Sequence, residues 1–267
     1  KVGAMLYSLY ISFTEWNLFG APEFVGLKNY ITIFRDPRFY ESLKNTLLFI
    51  AGYLPVVLVL SMGIALLLNS KVKRVNIFRG LFFLPVITSW VAVSMIWKGL
   101  LNPEFGIINS IIEFFGGTGP AWLQDPAFVL PSVIMVSVWK DVGFLSIIFL
   151  GGLQGISSEY YEAAQIDSAS KWQQFRKITL PLLSPTTFYA LIITIINSFQ
   201  VFDQIWIMTA GEPTADLVPV MVTEIYKNSF QYQKMGYATA LSWILFAIII
   251  GVTIFQNVMQ KKWVHYE

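Results

Sequence analysis

The feature that most limits what this chain can become is a series of long apolar runs with almost no charge inside them. Runs at 45 to 69, 78 to 101, 128 to 152, 186 to 208 and 237 to 259 each hold more than twenty residues. That length crosses a hydrocarbon core of about 30 Å at about 1.5 Å per helical residue. A shorter run at 1 to 13 reads as the remnant of a further span, so the natural N-terminus and much of that span are expected to lie outside this sequence. In hydrocarbon every backbone polar group must be bonded within the protein, which for runs of this length means helices. The expected fold is therefore all-α, a polytopic membrane helical bundle of six transmembrane helices with the first one truncated.

Composition agrees with that expectation and removes several functions. Of 267 residues 55% are hydrophobic and 13% charged, against roughly 25% charged in a soluble domain. The net charge of +2 is too small to argue for a nucleic-acid partner, and membrane lipid is the natural surrounding. There is no cysteine and a single histidine, His265. A thiolate or histidine metal site and a histidine-based catalytic arrangement therefore have no material to form from. No Gly-x-x-x-x-Gly-Lys phosphate loop occurs, so the chain is not expected to bind ATP or any other cofactor itself, nor to be an enzyme.

Local signals set the span ends. Asp125-Pro126 has the form of a cap and first helical position for the fourth span, and Gly151-Gly152 is expected at its other end. Pro55 and Pro85 fall inside spans and should kink them. Trp97, Trp122, Trp206 and Trp263 stand near span ends, as in an aromatic belt. Lys71, Lys73, Arg74 and Arg79 lie in or beside the connection 70 to 77; Lys171, Arg176, Lys177, Lys261 and Lys262 add to the same side. The other loops carry Glu104, Glu113, Asp125, Glu212, Asp216 and Glu224. By the positive-inside rule the C-terminus and the stretch 157 to 185 face the cytoplasm. The loop 14 to 44, with Lys28, Arg35, Arg38 and Lys44, runs against this assignment, and the short connection decides it.

Residues 157 to 185, SSEYYEAAQIDSASKWQQFRKITLPLLSP, form a polar island between two spans. Ser158 can cap a helix whose opening carries Glu159 and Glu162 at the positive end of its dipole. Asp167 to Ser170 breaks the pattern. Ser170 with Gln173 forms a capping box, Leu180-Pro181 is expected to end the second helix, and Ser184-Pro185 to restart one. A helix of about nine residues is marginal in water, so it has to dock. Ala163 and Ala164 permit close approach, and Tyr160, Tyr161 and Ile166 supply apolar area. A helix lying on the lipid surface is the competing explanation.

Polar groups inside spans are costly and mark candidate sites. On the fourth span Ser137, Lys140, Asp141 and Phe144 share one helical face; on the fifth, Thr194, Asn197, Ser198 and Val201 do. Counted along the helices the first stripe lies about 14 to 20 Å deep and the second about 12 to 22 Å, both near the midplane. Together they could hydrogen-bond a polyol, with Trp139, Phe144 or Phe199 offering apolar faces. Lys140 and Asp141 could instead be ion-paired with neighbouring elements. Thr194 and Ser198 could bond back to their own helix.

Glu162-Ala163-Ala164, Asp167 and Ala169, with Phe175, Ile178, Leu180-Pro181 and Pro185 at their offsets, resemble the Glu-Ala-Ala loop of permease subunits in binding-protein-dependent ABC importers. The family usually has glycine where Ser168 stands, which argues against a left-handed turn there. The external segment at 14 to 44 and residues 79 to 109 are similar to maltose-type subunits, and 197 to 214 to the sugar-uptake branch, with Glu212 where a second glycine is usual.

The resemblance implies one transmembrane domain over 1–267, with 157–185 as a cytoplasmic two-helix coupling loop, in the first permease subunit of a sugar importer of the bacterial inner membrane. It implies a heterodimer with a second permease subunit, a dimer of ATP-binding subunits that alone hold ATP and Mg, and an extracytoplasmic sugar-binding protein. Tyr161, Glu162, Ala163, Ala164, Asp167, Ser168 and Ala169 would then couple to the ATPase, with Glu162 and Asp167 making polar contacts, and the mid-membrane stripes would hold the sugar. An ABC permease for another polar solute such as glycerol phosphate is the alternative. An ion-coupled secondary carrier using Lys140, Asp141 and Asp203, and a non-transporting scaffold, are the readings of other classes.

Overall fold

The computed structural model describes residues 2–69, 75–212, 214, 216–261 and 263–264; Lys71, Lys73, Arg74, Lys262 and His265 lie outside the described residues. The elements run α1 (Val2–Ser12), β1 (Thr14–Glu15), β2 (Glu23–Phe24), α2 (Lys28–Ile33), α3 (Pro37–Asn69), α4 (Val75–Ile87), α5 (Trp90–Leu100), α6 (Ile107–Phe114), α7 (Pro126–Gln154), α8 (Ser158–Ile166) and α9 (Lys171–Gln174). A π-helical turn (Phe175–Thr179), α10 (Leu180–Leu182), α11 (Ser184–Phe199), α12 (Asp203–Thr209), α13 (Met221–Tyr226), a second π-helical turn (Lys227–Gln231) and α14 (Met235–Gln260) complete the order. The fold is all-α apart from one antiparallel pair of two-residue strands among the described residues.

Among the described residues three helices are long and apolar enough to cross a membrane: α3 with 33 residues, α7 with 29 and α14 with 26. Two broken pairs, 80–87 with α5 and 171–182 with α11, bring the number to as many as 5, and α1 is a shorter apolar helix before them. Of the most apolar stretch of α7 61% is buried, against 22% for α3 and for α14. The fourth span is thus enclosed by protein, while α3 and α14 leave apolar side chains such as Val59, Leu67, Ile254 and Phe255 exposed, as lipid-facing helices should.

Several boundaries differ from expectation for local reasons. Ala127 N–H donates to Asp125 Oδ1 at 2.9 Å, so Asp125-Pro126 does open α7. Gly151 and Gly152 do not close it; the helix continues to Gln154. A Cβ on Gly152 would stand 2.4 Å from Thr186 Oγ1 and 2.8 Å from Leu183 Cδ1, so this glycine serves close helix packing. The span expected at 78 to 101 is two helices. α4 runs through Pro85 and stops at Ile87, where Thr88 N–H bonds Pro85 O at 3.3 Å. The span expected at 186 to 208 is also interrupted, because residues 200–202 are not helical.

By contacts the chain forms two compact units, one of residues 1–51, 90–134 and 196–252, the other of 52–89, 135–195 and 253–267. In the first, Asn45 Nδ2 donates to Pro219 O at 2.9 Å, Met221 N–H to Thr46 Oγ1 at 3.1 Å and Tyr237 OH to Asp36 Oδ2 at 2.7 Å. Arg38 lies 3.3 Å from Glu224 and 3.9 Å from Asp216, and Lys227 bonds Asp216. The Lys227 ammonium holds the Asp216 carboxyl below the usual range. Burial pushes Glu224 up, opposed by Arg38 and Lys227. In the second unit, Ser61 Oγ donates to Val142 O at 3.2 Å. A Cβ on Gly143 would fall 1.9 Å from Phe82 O, so α7 and α4 pack backbone to backbone there.

Candidate coupling hairpin and membrane polar groups

The polar island is a helical hairpin built by its own capping chemistry. Ser157, one residue before the expected Ser158, is the N-cap; its Oγ accepts from Glu159 N–H at 3.3 Å. The far end of α8 closes as a Schellman motif, with Ser168 N–H on Gln165 O at 3.0 Å and Ala169 N–H on Ala164 O at 2.9 Å. Ser168 sits at φ 57°. The left-handed turn that serine argued against is therefore present. The two carbonyl caps require it, at a cost of about 1 kcal/mol relative to glycine.

The capping box of the second helix forms as expected: Ser170 N–H bonds Gln173 Oε1 at 2.7 Å and Gln173 N–H bonds Ser170 Oγ at 3.3 Å. Leu180-Pro181 does not end this helix. Residues 175–179 widen into a π turn, with Leu180 N–H on Phe175 O, and the chain stays helical through Leu182 before bending by 61° into α11. An ordinary helical turn would clash with the ring of Pro181, and the wider turn gives it room.

No side chain of α8 is buried. Glu162, Ala163, Asp167 and Ser168 are exposed, and Tyr161, Ala164 and Ala169 half-buried. Ile166 is 86% exposed and Trp172 67%. The Tyr161 hydroxyl meets Thr179 Oγ1 at 3.0 Å and pins α8 to the turn below it. So much apolar area on a small polar hairpin marks a surface built to be covered.

The polar groups of the fourth span lie in the second unit. Ser137 is fully buried and its hydroxyl has no partner among the described residues. Lys140, also buried, extends its ammonium to 3.5 Å from Val86 O, a carbonyl of the last turn of α4, where a cation complements the negative helix end. Asp141 accepts a 2.7 Å hydrogen bond from the hydroxyl of Tyr53 on α3. Tyr53, 88 residues away in sequence, was missed by sequence reasoning because a tyrosine in an apolar run carries no signal of its partner.

Thr194 belongs to the same unit and donates back to Ala190 O at 2.6 Å, the local alternative foreseen for it. Asn197 and Ser198 belong to the other unit. Ser198 is buried, while Asn197 and Gln200 are exposed beside the interruption at 200–202. There Gln200 N–H bonds Asn197 O at 3.1 Å and Val201 N–H bonds Ser198 O at 3.4 Å. A span broken at this depth frees main-chain groups that a packed or ligand-lined site can use. Phe199 is buried and offers no free face, whereas Trp139 and Phe144 are exposed. Asp203 is the first residue of α12, and the N-cap position before it is held by Phe202, which provides no side-chain cap. Among the described residues no cluster of three or more potential metal ligands occurs. A pocket of about 330 Å³ walled by residues including Glu15, Asn29, Asp36, Lys234 and Tyr237 lies in the first unit.

Residues 58–265 match the family described as binding-protein-dependent transport system inner membrane component. The chain is 36% identical over 264 residues to the Bacillus subtilis protein named "Probable ABC transporter permease protein YesP", covering 97% of this chain and 85% of that one. It is 30% identical over 259 residues to the "Probable starch degradation products transport system permease protein AmyD" of Thermoanaerobacterium thermosulfurigenes, covering 96% and 87%. Among solved structures it resembles a chain of a bacterial ABC transporter that imports the acidic polysaccharide alginate, with a TM-score of 0.87, 26% identity and coverage of 98% and 90%. The same likeness holds to a bacterial alginate ABC transporter in complex with a periplasmic protein bound to an alginate pentasaccharide, with a TM-score of 0.84, 26% identity and coverage of 98% and 88%.

Proposed function

The chain belongs to the family of inner membrane components of binding-protein-dependent transport systems, and from that premise we propose that it is a permease subunit of a sugar importer, moving a sugar or oligosaccharide by alternating access. Members of this family are multi-pass, non-catalytic membrane subunits. The starch-product relative and the alginate importers point to carbohydrate as the cargo.

The observation that carries the mechanism is α8, an exposed helix closed at both ends by its own caps and bearing Glu162, Ala163, Ala164 and Asp167. It is the coupling helix of a single transmembrane domain over residues 1–267, with 157–185 on the cytoplasmic side together with the C-terminus. ATP and Mg are bound by a dimer of partner ATPase subunits, and a second permease subunit completes the membrane pair. An extracytoplasmic sugar-binding protein delivers the solute; the support is that a bacterial alginate ABC transporter occurs in complex with a periplasmic protein bound to an alginate pentasaccharide. A helix seated in a cleft that closes on nucleotide binds the open and closed states with different affinity. That difference is what shifts the helices between inward-open and outward-open forms.

Ser137, Lys140, Asp141 and Thr194 of the second unit, and Asn197 and Ser198 of the first, are the residues proposed to meet the solute as it crosses the membrane. The support is an unpartnered buried hydroxyl at Ser137 and the interrupted helix beside Asn197. The test is reconstitution of the whole transporter with its binding protein in liposomes, followed by ATP-driven uptake of a panel of labelled sugars and of glycerol phosphate. Uptake of a saccharide that needs both ATP and the binding protein supports the reading. Uptake driven by a proton gradient without ATP overturns it.

A further inference from the structure

The connection between α5 and α7 holds a helix whose surface divides into three faces instead of the usual two. On α6 the side chains of Ile108, Asn109 and Ile112 turn inward. Asn109 is buried and fastens the helix: its Nδ2 donates to Pro103 O and Pro120 O at 3.3 Å each, and its Oδ1 accepts from Trp122 Nε1 at 2.7 Å. Ser110 and Glu113, three residues apart, form a polar exposed edge. Ile107, Ile111 and Phe114, at spacings of four and three, form a third face, with Phe115 continuing it. They are exposed by 59%, 53%, 84% and 81%. A connection facing only water has no reason to keep such an apolar strip apart from its polar edge.

The start of this helix is held at the end of a membrane helix. Gly106, the residue before α6, approaches the last turn of α5 so closely that an added Cβ would lie 2.5 Å from Leu100 O. Asn102 N–H bonds Gly99 O at 3.3 Å and Gly106 N–H bonds Asn102 O at 2.9 Å, so the reversal is tight. α5 itself exposes the apolar side chains Val91, Met95 and Ile96.

We propose that α6 is an interfacial anchor that lies in the membrane plane at the boundary between headgroups and acyl chains. Ile107, Ile111, Phe114 and Phe115 dip into lipid, and Ser110 and Glu113 face water. The occupant of the strip is the bilayer itself, recognised as an amphipathic helix recognises it. The anchor fixes the depth at which α5 and α7 emerge.

This chain has no cysteine, so Ile111→Cys, Phe114→Cys, Phe115→Cys, Glu113→Cys and Met95→Cys each place a single spin label in it. The assembled transporter, with reactive cysteines of the other subunits replaced, is reconstituted in liposomes, and each variant is first checked for ATP-driven uptake. Collision with oxygen, which concentrates in lipid, is compared with collision with a water-soluble nickel chelate. Labels at 111, 114 and 115 should favour oxygen as the Met95 reference does, and the label at 113 should favour the chelate, which inverts the ratio within one turn. Equal access of the chelate to 113 and 114 would overturn the proposal. So would shielding of 111, 114 and 115 from both agents, since a protein partner would then cover the strip.

Discussion

The hydroxyl of Tyr53 on α3 donates a 2.7 Å hydrogen bond to Oδ2 of Asp141 on α7, joining the most enclosed span to a peripheral one through a carboxylate that would otherwise lack this donor. Tyr53 is 5% exposed and Asp141 half-buried, so removing the hydroxyl takes from the carboxylate a donor that solvent replaces only in part. Tyr53→Phe should therefore destabilise the subunit by about 1–2 kcal/mol, the loss of one hydrogen bond to a half-buried carboxylate. Thermal unfolding of the assembled transporter in detergent reads the loss. A variant as stable as the parent would show that Asp141 finds another donor.

Gly143 carries the close approach of α7 to α4. Gly143→Ala brings a methyl group against Phe82 O, which being main chain cannot turn aside, and should cost about 1–3 kcal/mol as overpacking does. Gly63→Ala on α3 is the control, since a Cβ there meets nothing within 4 Å. The two alanines should move the unfolding temperature differently, and equal behaviour would argue against backbone contact at Gly143.

Ser168→Gly should strengthen the end of α8 by about 1 kcal/mol, because glycine adopts the left-handed conformation without the Cβ penalty. Amide exchange at 168 and 169, the two donors of the Schellman motif, should slow. Ser168→Val should speed it, since a branched side chain is least tolerant of positive φ.

The charge cluster of Arg38, Asp216, Glu224 and Lys227 predicts pH effects of opposite sign. The Asp216 carboxyl titrates below its ordinary value, so its contribution is present above the unfolded value and is lost as pH falls through the depressed folded one. Asp216 is largely exposed, so that contribution is small. Glu224 titrates above its ordinary value. Stability is thus full below the unfolded value and declines as pH rises through the raised folded one. Glu224→Gln should remove that decline from a stability-against-pH curve, while Asp216→Asn should flatten only the acid limb.

Much of this architecture is legible in the residues, and the rest is hidden for identifiable reasons. Apolar length reveals α3, α7 and α14, and local chemistry reveals the cap at Asp125 and the box at Ser170, because partners within four residues leave a pattern. The breaks at Thr88 and at Gln200 to Phe202 leave none: both fall in continuous apolar runs, and Pro85, the visible breaker, sits three residues before its break. The π turn before Pro181 depends on where a proline ring finds room. The partners Tyr53 with Asp141, Lys140 with Val86 and Gly143 with Phe82 are set by which helices pack together. Ser168 misled because glycine's ease in a left-handed turn was read as a requirement, whereas two hydrogen bonds outweigh about 1 kcal/mol of strain.

Removing the charges of the coupling helix should separate ATP hydrolysis from transport. Glu162→Ala with Asp167→Ala removes two exposed carboxylates and no buried contact of this chain, so the subunit should still assemble. If each makes a charge-assisted contact of about 1.5–3 kcal/mol with the ATPase, uptake should fall by more than about tenfold, since tenfold corresponds to about 1.4 kcal/mol. Unchanged uptake would remove both residues from the coupling role.

The most direct measurement is a cross-link. Ala163→Cys supplies the one thiol of this chain, at the exposed centre of α8, and paired single cysteines on the ATPase subunit can be tested against it in inside-out and right-side-out vesicles. Ala163→Cys should react with a membrane-impermeant reagent only from the cytoplasmic side and should form a disulfide with the ATPase whose yield changes when ATP is trapped. Labelling from the outside, or no cross-link to any position on the ATPase in any nucleotide state, would contradict the assignment of α8 as the element through which ATP hydrolysis drives the membrane helices.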